Sequence, residues 1–408
     1  MIRNLIDVRK LIDRYVGIPL LFSLRLQNFC SGRPKADILP DEKVSKVLVI
    51  YLSGIGDTVM ILSCLKHIRE HYPDAEISIL ASSQNYEIVK ANPYASKIFH
   101  LDTTRGMSGF MGTFVSITRE LRRIGYDIII DFEQFLRLSA LICSLSKGKK
   151  KVGFRTTHQH RHYAYTNTLS YDSSIHTLDN FLGLLNLLGI NNKPKELEEI
   201  YVSEEDRSVV TSLIQENNIV DTDVLIGIHP GSGNTGISRR WEPCRFSAIA
   251  NLLIKHYNAK IIFTGTKDEE WLIESILFGI DYSTNCYNFA GKVTLGQLPF
   301  LLGRFHAYLS NDTGPLHIAA AMNVAVVALF GPNTPVRYGP LGNGHCVINR
   351  GLACSPCILA HEGKVPYCRN NRCMQEISVD EVWKALERVI KPRIPHFITS
   401  NAPKSLSH

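Results

Sequence analysis

From residue 44 onward the chain alternates short β-branched runs with stretches of helical period, and it does so in two separate series. In the first, Val47–Leu52, Glu76–Leu80 and Tyr126–Asp131 read as strands, with helices near Thr58–His71, Gly109–Ile124 and Gln134–Leu145 between them. A helix at His176–Leu188 then runs into Gly189-Ile190-Asn191-Asn192-Lys193-Pro194, whose Gly/Asn/Pro content reads as a linker. The second series is Val224–Ile228, Lys260–Thr264, Ala307–Ser310 and Val324–Phe330, each trailed by a helix. Apolar strand runs separated by helices bury both faces in a parallel sheet covered on both sides. The expected fold class is therefore α/β: two doubly wound domains of similar size facing a central cleft, preceded by a helical extension. The expected divisions are 1–43, a basic amphipathic extension; 44–195, the first domain; 196–378, the second, with a Cys-rich loop over 354–373; and 379–408, a helix at Val379–Ile390 and a polar tail. Ligands of such sheets bind beyond the carboxyl ends of the strands, so chemistry is sought in the loops that follow strands.

A length of 408 residues suits two such domains. With 45% hydrophobic and 20% charged residues the chain has the make-up of an ordinary globular protein, which argues against disorder outside the two ends. The formal charge of +7 is unevenly spread: residues 1–40 hold seven Lys/Arg against three Asp, a balance of +4. No Lys/Arg block interleaves with aromatics, so no nucleic-acid partner is expected. The least polar stretch of that segment, Val16 to Leu24, contains Pro19 and Ser23 and is far shorter than the ~20 residues a membrane span needs. No cleavage site of small residues follows, so no signal peptide is read. Residues 1–30 then have two readings: a basic strip lying on an anionic membrane surface, or a helical extension packed on the body or on another subunit. Ten scattered cysteines do not make a secreted disulfide framework, and a reducing cytoplasm fits them. The expected location is cytoplasmic, peripheral to the cytoplasmic face of an inner membrane under the first reading of residues 1–30.

Residues 231–236, GSGNTG, match the spacing of a dinucleotide-binding loop and follow a strand. In that motif the helix opens inside the glycines, where its amino terminus holds the pyrophosphate. Here the next helix is expected to open at Pro243, a residue suited to the first helical position, so it starts too late. The acidic residue that should end the following strand is also missing, Asp268 coming well beyond it. What remains is a Gly/Ser/Thr-rich loop carrying Arg239 and Arg240 beside Trp241. Its amides, the Ser232 and Thr235 hydroxyls and the guanidinium forks suit a diphosphate; alternatively the two arginines are a solvated pair. Asp268 remains a candidate ribose contact.

A second loop of this kind follows Ala307–Ser310. Asp312 or Thr313 can cap a helix whose proline, Pro315, lies in the first turn, leaving the Gly314 and Leu316 amides directed outward for an anion. Asp312 could also accept hydrogen bonds from sugar hydroxyls, and His317 follows on the same helix. In the first domain Val47–Leu52 ends in Ser53-Gly54-Ile55-Gly56-Asp57. The glycines permit a tight turn that sets Asp57 at a helix start, where it serves either as a cap or as a general base toward a hydroxyl. Arg155 and His158, in a His/Arg-rich loop that continues through His160, Arg161 and His162, could meet an acidic acceptor or be solvated. Asp221-Thr222-Asp223 has the letters of a metal-binding pair but precedes a strand, at the wrong end of the sheet. Cys354, Cys357, Cys368 and Cys373 have a spacing that suits one tetrahedral Zn or Fe ion in a structural role, the alternative being reduced thiols or an incidental disulfide. The role is structural because four thiolates would leave no open position for catalysis.

Together these stretches resemble glycosyltransferase family 9, the heptosyltransferases of the lipopolysaccharide core. The match lies in Gly54-Ile55-Gly56-Asp57, His229-Pro230-Gly231-Ser232 with Arg239-Arg240-Trp241, Phe289-Ala290-Gly291-Lys292, Ser310-Asn311-Asp312-Thr313-Gly314-Pro315-Leu316-His317 and Leu329-Phe330-Gly331-Pro332-Asn333. The resemblance implies the GT-B fold and metal-independent transfer with inversion at the sugar. By position it gives Asp57 as catalytic base; Gly54 and Gly56 of the same turn, and Arg155 and His158 from the reading of their loop, are the acceptor-side candidates. The resemblance gives Ser232, Gly233, Thr235 and Arg239 with Asp312, Thr313, Gly314 and Pro315 as donor and phosphate contacts, and Arg240 and His317, in the same stretches, are further candidates for that side. Arg239 stands where the family often has Lys, so a point charge becomes a fork. The implied reaction moves heptose from ADP-heptose to a lipopolysaccharide core or related surface glycan. The alternatives are a transferase of the same fold with another nucleotide sugar or a protein acceptor, and a nucleotide-binding protein without turnover.

Overall fold

A computed structural model of the chain describes residues 43–233, 236–358, 368 and 370–394, together with 19 and 21–23. The chain forms two compact units that divide after Glu198. The first holds β1 (Lys46–Ile50), β2 (Glu76–Ser82), β3 (Lys97–Leu101), β4 (Tyr126–Asp131), β5 (Gly148–Arg155) and β6 (Asn167–Ser170), in the order β3-β2-β1-β4-β5-β6. All neighbours are parallel, and Val47 of β1 lies between Ile77 of β2 and Ile128 of β4. Val47 to Ile50 are fully buried because helices cover both faces. Leu48 and Ile50 pack with Ile117, Leu121 and Ile142 of two helices, Gly106–Ile124 and Arg137–Leu145. By the alternation of the pleat, Val47 and Val49 face the other side.

The second unit repeats the plan with β7 (Leu225–His229), β8 (Lys260–Phe263), β9 (Cys286–Asn288), β10 (Ala307–Asn311), β11 (Ala325–Phe330) and β12 (Cys346–Asn349), in the order β12-β11-β10-β7-β8-β9. These neighbours too are all parallel. Counted from its own first strand, each sheet has the order 3-2-1-4-5-6 of a doubly wound dinucleotide-type fold. The strand order reverses between β1 and β4, and again between β7 and β10. In each unit the loops that leave these two strands open a crevice of the kind where a ligand belongs. The helix Val379–Ile390 buries Val382, Leu386 and Ile390 in the same core as Ile228, Phe246 and Leu309, so it is part of the second unit.

Five strands, β3, β5, β6, β9 and β12, go beyond the sequence reading. Four are sheet edges, short and half-exposed, where no continuous apolar run is required. In β5 the run Lys149–Lys151 hides the apolar alternation, although Val152 and Phe154 are fully buried. The helix expected from Gln134 begins at Arg137, because Glu133 and Gln134 turn back toward the loop after β1. Of the amino-terminal extension, Leu21 is buried against Ala140, Ala164 and Tyr165 of the first unit. The rest of that extension, Thr235, the middle of the Cys-rich loop and the polar tail lie outside the described residues.

Candidate active site

In the first unit the helix Ile55–His71 opens directly beyond β1, with Gly54 at its cap and no capping side chain. Asp57, in the first turn, is therefore not spent on capping. Its Oδ2 accepts hydrogen bonds from the Tyr51 hydroxyl at 2.8 Å and from Gln134 Nε2 at 3.2 Å. One donor follows β1 and the other follows β4, so the carboxylate is held from both sides of the switch point. Gly54 has φ −50° and open space around its Cα, so the turn does not itself demand glycine there.

Glu133 braces the same turn from behind. Its Oε1 accepts the Leu52 amide at 2.9 Å, and the side chain is buried. Burial pushes its carboxyl up to about 7, against the opposing pull of the Ser53 hydroxyl and the Arg161 charge. Arg161, read from sequence as part of a loop open to an acceptor, is instead wholly buried. Its Nη2 meets Asp131 Oδ2 at 2.9 Å, Ser139 Oγ at 3.0 Å and the Tyr165 hydroxyl at 2.8 Å. A carboxylate buried at the end of β4 needs a counter-charge, and Arg161 supplies it. Arg155, the last residue of β5, and His158 in the loop beyond it are exposed, His158 with a left-handed φ of 62°.

In the second unit the loops after β7 and β10 are cross-linked by the motif residues. Arg239 Nη1 donates to the Asp312 carbonyl at 2.9 Å and stands 3.6 Å from Asp312 Oδ2. Its buried Nε has no hydrogen-bond partner among the described residues, which leaves one directed donor for a ligand. Asp312 is buried, and its Oδ2 accepts Asn333 Nδ2 at 3.0 Å. Burial raises its pKa, against the pull of Arg239 and Asn333. Asn311 joins the loops from beneath: Nδ2 donates to Pro230 O at 2.9 Å and Oδ1 accepts the Trp241 amide at 3.2 Å.

The glycine loop is organised by a residue the sequence reading passed over. Glu269 Oε1 accepts the amides of Ser232 and Gly233, each at 2.9 Å, and lies 3.4 Å from Arg240 Nη2. Arg240 Nε also reaches Ser232 Oγ at 3.1 Å. The amides of Ser232 and Gly233, expected to face a diphosphate, thus already have a carboxylate. A Cβ on Gly231 would stand 2.4 Å from that carboxylate, so glycine leaves room for the Glu269 side chain, and Gly233 has φ 66°, a backbone conformation that favours glycine. Burial alone would raise Glu269, but the His229 charge and the amides of Thr266, Gly233 and Ser232 hold it below the usual carboxylate range. His229 is itself pushed down by burial, so near neutrality the amides carry this effect. Asp268, the candidate ribose contact, is exposed next to it.

The helix after β10 spans Gly314–Ala321 with Thr313 at its cap, but no side chain makes the capping bond expected of Asp312 or Thr313. The Leu316 amide, expected to face outward, donates to Thr313 O at 3.2 Å. His317 is buried on this helix and Pro315 is in its first turn. Tyr51, Gln134, Glu133, Glu269, Asn311 and Asn333 are the residues missed. The Thr266-Lys267-Asp268-Glu269 spacing of a capping box was the legible signal for Glu269, and that box is formed.

The cysteine segment is fastened to these loops. Cys357 N donates to Pro332 O at 2.9 Å, and Asn371 Nδ2 donates to the carbonyls of Ser238 and Arg240 at 3.1 Å. Burial raises Cys357 and takes Cys373 to about 11; the charges of Cys368 and Cys354 add to the rise at Cys357, and those of Cys357, Cys354 and Cys368 to the rise at Cys373. Among the described residues, no group of three or more His, Cys, Asp or Glu side chains has the arrangement of a metal site. No described helix is long and apolar enough to cross a membrane.

Residues 114–365 match the family model of glycosyltransferase family 9 (heptosyltransferase). A lipopolysaccharide core heptosyltransferase of Haemophilus influenzae, OpsX, is 26% identical over 306 residues, covering 74% of this chain and 83% of that protein. Among solved structures, a family 9 glycosyltransferase from Veillonella parvula superposes with a TM-score of 0.73 at 23% identity, over 86% of this chain and 99% of its own. The ADP-heptose lipopolysaccharide heptosyltransferase II of Escherichia coli gives 0.68 at 21% identity, over 85% and 99%. At these identities the structures speak for the GT-B fold, and the family model, spanning more than half the chain, speaks for descent. The chain belongs to glycosyltransferase family 9, the heptosyltransferases.

Proposed function

We propose that the protein transfers heptose from ADP-heptose to a hydroxyl of a lipopolysaccharide core acceptor, with inversion at the sugar, at the cytoplasmic face of the inner membrane. The observation that carries the reading is Arg239, bridged to Asp312 across the switch point of the second sheet with a buried Nε that has no partner among the described residues, in a chain of this family. Asp57 takes the proton of the acceptor hydroxyl. The oxygen attacks the anomeric carbon, and the bond to the diphosphate breaks with its electron pair leaving on ADP. Arg239 and the Gly314 end of the helix Gly314–Ala321 meet the departing charge. Ser232, Gly233 and Arg240, ordered by Glu269, form the floor of the donor site, with Asp312, Thr313, Pro315 and His317 beside it, and Thr235 is a further donor contact by its place in the sequence motif. Gly54, Gly56, Arg155 and His158 lie on the acceptor side.

The test is release of ADP from ADP-heptose with and without a heptose-deficient core acceptor. Acceptor-dependent release, lost in Asp57→Asn, is expected; release in Asp57→Asn at the wild-type rate overturns the role of Asp57. Cys354, Cys357, Cys368 and Cys373 hold one structural Zn or Fe ion in this reading, supported by their spacing and soft donors. Metal analysis of the purified protein and of Cys354→Ser tests it, and a metal-free, equally stable native protein sinks it. Residues 1–30, basic and amphipathic, contact the membrane surface in the same reading.

A further inference from the structure

The helix Gly106–Ile124 buries Ile117 and Leu121 in the core of the first unit and turns a second apolar stripe outward. Met107, Met111 and Val115, one helical turn apart, are 40%, 46% and 37% exposed. The same stripe continues into Arg119 and Arg123, with Arg122 beside them, all exposed. None of the three arginines has a carboxylate partner among the described residues, and the nearest acid in sequence, Glu120, is taken by Lys97 at 2.6 Å. A row of exposed thioether and aliphatic side chains flanked by unpaired guanidinium groups is complementary to an anionic lipid surface, where apolar atoms enter the acyl boundary and cations meet the headgroups. We propose that this face docks the protein on an anionic phospholipid bilayer. Because the helix returns antiparallel to its sheet, its Met107 end lies at the carboxyl edge of the strands, the edge that also bears Asp57. Docking there brings a lipid-anchored acceptor to the base.

The inference rests on the reading of a lipid-borne acceptor, but binding is scored without turnover, so the two can fail separately. Co-sedimentation of the full chain with vesicles of phosphatidylglycerol in phosphatidylcholine, against phosphatidylcholine alone, is the experiment. The wild type is expected to bind the anionic vesicles and to be released by high salt. R119E/R122E/R123E and M111D/V115D are expected to weaken that binding about tenfold or more, with transfer to a delipidated, soluble acceptor unchanged. Wild-type binding in both variants overturns the proposal. So does a solution mass of twice the chain that falls to one chain in the variants, since a second copy would then cover the face.

Discussion

Asp57 receives two hydrogen bonds on one carboxylate oxygen, and this separates its orientation from its basicity. Replacing the carboxylate by an amide removes the base, whereas Tyr51→Phe removes only one of the groups that aim it. Asp57→Asn is expected to lower kcat by about 10²- to 10⁴-fold, the usual share of a general base, with the KM for donor nearly unchanged. Tyr51→Phe is expected to cost less, about tenfold, because it removes one charge-assisted hydrogen bond and leaves Gln134 to aim the carboxylate. Initial rates of ADP release check both, and equal losses would mean that Tyr51 takes part in the chemistry itself. Arg239 makes the matching case on the donor side. Arg239→Ala removes a charge-assisted contact worth about 1.5–3 kcal/mol, so kcat/KM for the donor should fall roughly 10- to 150-fold. Arg239→Lys keeps the point charge but loses the open Nε donor, and should fall between the two.

Two buried carboxylates brace the loops after the switch-point strands, and their titrations have opposite signs. Glu269 is held below its ordinary value of 4.5. It contributes stability that is present above that value and is lost as pH falls through its lower folded value. Glu133 is raised from 4.5 to about 7, so its contribution is full below 4.5 and is lost as pH rises through about 7. Melting midpoints from pH 4 to 8 should therefore show Glu133→Gln gaining on the wild type toward alkaline pH. Below pH 4.5 the wild type should lose its advantage over Glu269→Gln. Glu269→Ala, which leaves Arg240 without its buried partner, should lose about 3–5 kcal/mol at neutral pH. The elements themselves were unevenly legible. Central strands such as β1 and β10 are buried on both faces and announce themselves as apolar runs, while edge strands need no such run. Asp57 and Arg239 were legible because a strand-end position and a charge are visible in one dimension. Glu269 was legible only as the end of a capping box and not as a brace of the glycine loop, because its partners at Ser232 and Gly233 lie some 36 residues away, and only folding brings a carboxylate onto amides that look free in the sequence.

At the scale of the whole molecule, one strand order occurs twice and the two crevices it opens are furnished differently. The first presents a carboxylate held by neutral donors; the second presents guanidinium groups, each drawn to a buried acid of a neighbouring loop. A negatively charged ligand should therefore select the second unit, whichever sugar it carries. Hydrogen exchange with and without ADP tests this without turnover. ADP at about a hundredfold its Kd contributes roughly 2.7 kcal/mol to whatever opening it must precede, so exchange through that opening should slow by about a hundredfold. Protection is expected at residues 230–241, 265–270 and 311–317, the loops after β7, β8 and β10. None is expected at 52–58 or 132–137 in the first unit, where a carboxylate faces any incoming phosphate. Protection centred on the Asp57 loop instead would move the nucleotide to the first sheet and overturn the assignment of Arg239 as its phosphate contact.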